Sequence, residues 1–102
     1  FFANAGVFRE RVLAAVARER PRWLVVSAEP ITDVDSTAAE MLVALDEELE
    51  RLGVELAFAE LKDHVRDTLV RFGLVERVGR DRFFPTLGVT VREHRPQLVG
   101  RR

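Results

Sequence analysis

The apolar run Trp23-Leu24-Val25-Val26, the acidic stretch Asp33-Val34-Asp35-Ser36-Thr37 and a row of leucines after it confine this chain to a strand–loop–helix unit. A short unbroken apolar run is what a strand buried on both faces needs. Beyond the loop, Ala38, Met41, Leu42, Leu45, Leu49 and Leu52 recur at steps of three and four, which paints one face of a helix. Thr37 followed by Glu40 has capping-box spacing. The Thr37 hydroxyl is expected to accept from a free helix N–H while the Glu40 carboxylate reaches back. Ser36 then lies at or just outside the helix start, at the surface, beside Asp33 and Asp35.

The same alternation extends in both directions. Phe1-Phe2-Ala3 reads as the end of a strand, and Asn4 as the cap of a helix over 5–18 with Phe8, Val12, Ala15 and Val16 inward. Pro21 forbids continuation of that helix, and a strand follows over 22–28. Gly53 closes the second helix where a left-handed residue is commonly needed. Val54–Ala59 is the next strand. A third helix covers 62–72, with Leu61, Val65, Leu69 and Phe72 inward and Gly73 at its end. Residues 74–85 mix apolar and charged positions, Pro85-Thr86 predicts the start of a last helix, and the chain from Pro96 reads as a frayed tail. Strands recurring about 30 residues apart between helices argue for an α/β fold with mostly parallel strands and right-handed crossovers. In such sheets the working loops lie beyond the carboxyl ends of the strands, where the Glu29–Asp35 loop stands.

Length and charge narrow the function. A chain of 102 residues is one domain with a modest core. Its 47% hydrophobic and 32% charged residues mark an ordered globular module rather than a disordered tail. A net charge of −1 provides no global attraction to nucleic acid or to an anionic membrane. The absence of cysteine excludes disulfides, thiolate nucleophiles and Cys-ligated zinc. No apolar run approaches the roughly 20 residues that span a bilayer. The chain opens on Phe1-Phe2 without an initiator methionine, which reads as a domain cut from a longer polypeptide beside a strand.

The ordered set Phe1-Phe2-Ala3-Asn4-Ala5, Ile31-Thr32-Asp33-Val34-Asp35-Ser36-Thr37-Ala38, Gly53-Val54 leading to Phe58-Ala59, Val70-Arg71-Phe72-Gly73-Leu74 and Phe83-Phe84-Pro85-Thr86 resembles a STAS domain. It is most similar to the C-terminal cytoplasmic STAS domain of SulP-type anion (sulfate) transporters; the soluble anti-sigma-factor antagonists are the nearest relatives. The resemblance implies an α/β, STAS-like open sheet of about four mostly parallel strands with about four helices. It covers residues 1–95, with the first strand missing, and leaves 96–102 as a flexible C-terminal tail. It also implies a non-enzymatic regulatory domain at the cytoplasmic face of the cell membrane. Its partners would be the transmembrane domain of the same transporter and other cytoplasmic proteins, with homodimerisation through the full-length protein. The family's phosphorylatable serine corresponds to Ser36, and Thr37 to the second hydroxyl. The alternative is a free-standing antagonist regulated by phosphorylation of Ser36; antagonists usually carry glycine where Ala38 stands.

The remaining chemistry-bearing residues read more plainly. Asp33 and Asp35 are loop-contact residues; two carboxylates without a third ligand make a poor metal site, so no metal is expected. His64 falls on the polar side of the third helix near Glu60, Asp63 and Asp67, and His94 is isolated; both read as surface. Arg77, Arg80 and Arg82, diluted by Glu76 and Asp81, read as solvated surface. No glycine-rich phosphate cradle exists, so nucleotide binding, proposed for the family, would have to rest on the Asp33–Thr37 helix start. No cofactor is expected. A hydrolase reading lacks a nucleophile–base pairing at workable spacing.

Overall fold

In the computed structural model the described residues are 5–86, 88 and 97–99. Helix α1 spans Ala5–Glu19, strand β1 Trp23–Ser27, helix α2 Ser36–Arg51, strand β2 Glu55–Ala59, helix α3 Asp63–Arg71 and helix α4 Leu74–Val78. A single 3-10 turn, Arg80–Arg82, leads into β3 at Phe83–Phe84, and β4 is Gln97–Val99. The strands form one sheet in the order β3-β2-β1-β4, every neighbouring pair parallel. Leu24 pairs with Leu56 and Val26 with Phe58, so the two apolar runs lie in register at the centre. The expected α/β architecture is therefore present.

Because side chains alternate along a strand, each strand serves both faces. Leu24, Val26, Leu56 and Phe58 join Val12, Leu42, Leu45, Leu49, Val65, Leu69 and Leu74 in the main core beneath the helices. Val25, Ala57 and Ala59 face the other way, with Trp23 and Phe84 packed against them. Phe58 is 1% exposed and its ring stacks on Phe83 at 5.3 Å; truncating such a buried phenyl ring to alanine typically costs about 3–5 kcal/mol.

Helix ends follow from local chemistry. Pro21 denies α1 a further amide, and Arg20 closes it in a left-handed conformation at φ 49°, its N–H donating to Val16 O at 2.8 Å. Gly73 at φ 81° lets α3 and α4 meet at a corner that a Cβ-bearing residue would strain. Leu52, expected on the inward face of α2, is instead 58% exposed. It is the C-cap, at φ −91° and ψ 2°, and the chain has already left the helical path that would turn it inward.

One expectation changes at the carboxyl end of the chain, and one stretch left without an element acquires several. Gln97–Val99, inside the segment read as a tail, pairs with Leu24–Val26 as a parallel strand. The charge-interrupted stretch 74–85 resolves into α4, the 3-10 turn and β3. The Phe1–Ala3 strand, the Asn4 cap and the course of a last helix beyond Thr86 lie outside the described residues.

Candidate functional site

The loop after β1 is built around two apolar anchors. Ile31, 8% exposed, and Val34, 5% exposed, turn into the core, which leaves Thr32, Asp33, Asp35, Ser36 and Thr37 outside. A turn closed by Ile31 N–H to Ala28 O at 3.0 Å starts the loop, and Ala28 N–H donates to Ala59 O at 2.8 Å. Asp35 ends it. Its backbone is extended, at φ −85° and ψ 178°, and its Oδ1 accepts from Ala38 N–H at 2.8 Å. Asp35 is thus the N-cap of α2, and Ser36 and Thr37 are the first two helical residues.

This corrects the capping-box reading of Thr37 and Glu40. Asp35 is better placed, because its short carboxylate reaches the amide three residues on and its negative charge faces the positive helix end. With the cap supplied by Asp35, the Ser36 and Thr37 hydroxyls have no hydrogen-bond partner among the described residues, and both side chains are exposed. The corner presents two free hydroxyls beside two carboxylates.

A second loop braces the first. Parallel strands bring the carboxyl ends of β1 and β2 together, so the residues after β2 reach across to those after β1. Lys62 Nζ donates to Glu29 O, and His64 Nε2 lies 2.5 Å from Thr32 O. A carbonyl has no proton to give, so this ring nitrogen carries the hydrogen and donates. His64 is exposed as expected, but it binds the loop backbone rather than a neighbouring carboxylate. Lys62 escaped the sequence reading altogether. The signal that could have found both is the crossover order, which sets these two loops side by side. Glu60 begins this second loop in a left-handed conformation at φ 63°, its N–H donating to Phe84 O at 3.0 Å.

With His64 Nε2 on the Thr32 carbonyl, no base is paired with Ser36 or Thr37 among the described residues. Nor do three or more His, Cys, Asp or Glu side chains gather as metal ligands among them. His94 lies outside the described residues.

The opposite, amino end of the sheet carries a network that also escaped the sequence reading. Arg77 Nε pairs with Asp46 Oδ2 at 2.7 Å, and its terminal nitrogen with Glu50 Oε1 at 2.5 Å. Arg82 pairs with Glu55 and lies 4.6 Å over the Trp23 ring. Arg77 and Arg80 are exposed as expected, although Arg77 bridges two carboxylates and Arg80 pairs with Glu76 at 3.4 Å, whereas Arg82 is half-buried. Burial pushes the Asp46 carboxyl above its ordinary value, and the attraction of Arg77 only partly opposes this. The ion pairs rim a cavity of about 460 Å³.

The molecule is thus an all-parallel α/β sheet with a braced, hydroxyl-bearing corner at the carboxyl ends of its strands. The chain belongs to the STAS domain family, whose model matches residues 1–89. A probable sulfate transporter of Mycobacterium tuberculosis is 38% identical over 96 residues, covering 92% of this chain and 17% of that protein. Chloroplastic sulfate transporter 4.1 of Arabidopsis thaliana is 33% identical over 95 residues, covering 82% of this chain and 14% of that protein. Among solved structures, the SulP transporter STAS domain of Vibrio cholerae matches with a TM-score of 0.72 at 23% identity, covering 88% of this chain and 69% of that one. The murine solute carrier 26 family member A9 anion transporter matches with a TM-score of 0.74 at 22% identity, covering 88% and 15%. These structures share the fold. The chain spans 17% of the length of its Mycobacterium relative, and no helix among its described residues is long and apolar enough to cross a membrane.

Proposed function

We propose that this chain is the STAS domain of a SulP-type sulfate (anion) membrane transporter. It lies at the cytoplasmic face and tunes transport through protein contacts made by the Asp33–Thr37 corner. The observation that carries the reading is the 38% identity over 92% of the chain to one segment of a probable sulfate transporter. The braced corner supports it: Ile31 and Val34 hold the loop from below, while Asp33, Ser36 and Thr37 face outward for a partner. The contacts are with the transmembrane domain of the same polypeptide, and transport chemistry belongs to those segments. The domain acts by contact rather than by turnover.

Two measurements test this. Coding sequence upstream of Phe1 is expected to specify about ten or more spans of roughly 20 apolar residues each; a start codon beside Phe1 would instead mean a free-standing antagonist. In the full-length protein, Asp33→Arg is expected to slow sulfate uptake several-fold without lowering the amount of protein in the membrane. Uptake unchanged by Asp33→Arg and by Ser36→Glu would remove the corner from the mechanism.

A further inference from the structure

A second cavity lies at the amino end of the sheet, the far side of the molecule from the Asp33–Thr37 corner. It occupies about 570 Å³ between the last turn of α1, the start of β1 and the end of α2. Leu13, Val16, Leu52 and Val54 form its apolar walls, and Arg20 and Arg22 stand at its edge. We infer that this groove binds an anionic amphiphile, a single aliphatic chain ending in a carboxylate.

Three observations converge on that ligand. The first is the apolar wall. Leu52 is 58% exposed, one of three large apolar side chains so exposed among the described residues, and it lines this groove. An aliphatic chain laid against Leu13, Val16 and Leu52 would take that surface out of water.

The second is charge. Arg9, Arg18, Arg77, Arg80 and Arg82 each pair with a carboxylate. Arg11, Arg20, Arg22, Arg51, Arg66 and Arg71 have no ion pair among the described residues, and of these six Arg20 and Arg22 line this groove. Two arginines without ion-pair partners, both lining an apolar trough, are matched by a carboxylate that they hold through charge-assisted bonds. The pattern of apolar lining with a few placed polar groups, and a volume within about 300–1,000 Å³, is that of small-ligand sites.

The third is backbone conformation. Arg20 sits at φ 49°, where glycine would be unstrained, yet the chain places there a side chain that lines the groove. Shape decides between a single chain and a membrane surface. A bilayer is met by protruding apolar side chains, whereas this site is concave and receives a chain end-on or lengthwise.

The test is calorimetric titration of the 102-residue chain with dodecanoate below its micelle threshold, alongside dodecanol and phosphatidylglycerol vesicles. Saturable one-to-one binding of dodecanoate is expected, with amide shifts at Val16, Arg22 and Leu52. Dodecanol should bind about tenfold more weakly, the scale of one charge-assisted contact. Arg22→Gln should weaken dodecanoate about tenfold and leave dodecanol unchanged. Arg20→Gly should do the same while melting no lower than the parent, which separates lost recognition from lost folding. Equal affinity for dodecanol, binding insensitive to both arginines, or binding to vesicles without binding to monomeric dodecanoate would each overturn the assignment.

Discussion

Asp46 on α2 and Arg77 on α4 are joined at 2.7 Å, with Asp46 only 8% exposed, so a largely buried carboxylate ties two helices together at the amino end of the sheet. Burial outweighs the pull of Arg77, and the folded carboxyl holds its proton to a higher pH than the unfolded one does. Its contribution to stability is therefore fully present below the unfolded value and is withdrawn as pH rises through the folded one. At neutral pH Arg77 limits the penalty. Arg77→Leu is expected to destabilise the fold by about 2 kcal/mol at pH 7, below the 3–5 of a fully buried pair because the guanidinium is partly solvated. The deficit should shrink toward pH 4 as Asp46 takes up its proton. Urea denaturation at the two pH values measures this, and an equal deficit at both would contradict it.

The cap of α2 supplies a second expectation. Asp35 Oδ1 holds Ala38 N–H, and the Thr37 hydroxyl has no such role. Asp35→Ala should lose about 1 kcal/mol, Asp35→Asn much less, since asparagine caps nearly as well. Thr37→Ala should stay within about 0.5 kcal/mol of the parent, as surface substitutions do. Thermal melts of the three variants order them; Thr37→Ala as damaging as Asp35→Ala would restore the capping box.

Ser36 separates stability from function. A glutamate there gains about 0.5–1 kcal/mol from the positive end of α2. It is also repelled by the Asp35 carboxylate by about 1 kcal/mol in solvent. The two nearly cancel, so Ser36→Glu should melt like the parent. If the chain belongs to a sulfate transporter, as proposed, and the corner is a contact surface, the same substitution in the full-length protein should slow sulfate uptake several-fold while Ser36→Ala does not. Uptake that follows melting temperature across these variants would make the corner merely structural.

What was legible in the sequence was whatever depends on near neighbours. The run Trp23–Val26, the leucine row of α2 and the break at Gly53 each announce an element through local pattern, and the elements stand where those patterns put them. The Asp33–Thr37 loop was legible because a strand followed by a helix start leaves little else for it to be. The choice of cap was not, since Asp35 and Thr37 both satisfy the residue preference and only the turn of the chain selects between them. Strand β4 was illegible for a different reason. Gln97–Val99 has no periodicity, and it is a strand only because Leu24–Val26 lies beside it. Arg77 and Asp46 likewise meet through the packing of α4 on α2, which no spacing along the chain reveals.

The braces on the corner also yield an expectation. Lys62 and His64 each hold a backbone carbonyl of the 29–35 loop, and both contacts are solvent-exposed. Exposed contacts add little to global stability, so the His64→Ala, Lys62→Ala double variant should lose no more than about 1 kcal/mol. Local opening responds more strongly, because loops open from the low end of the free-energy range. Hydrogen exchange should quicken at the amides of 31–35 and stay unchanged in β1 and β2. Uniform protection across loop and sheet would show that Ile31 and Val34 suffice to hold the corner.

Arg20 and Gly73 form a natural pair of opposites, the first at φ 49° with a long side chain and the second at φ 81° without one. A left-handed conformation costs an L-residue about 1–2 kcal/mol. Arg20→Gly removes that strain, while the greater freedom of glycine in the unfolded chain takes back about 0.4–1 kcal/mol. A net gain of about 0.5–1 kcal/mol should remain. Gly73→Ala runs the balance in reverse. Open space surrounds its would-be Cβ, so backbone strain alone sets the loss, also about 0.5–1 kcal/mol. Denaturant melts of both variants should therefore move in opposite directions. An Arg20→Gly variant less stable than the parent would mean that the arginine side chain contributes packing against Leu13 and Leu52 that exceeds its backbone strain.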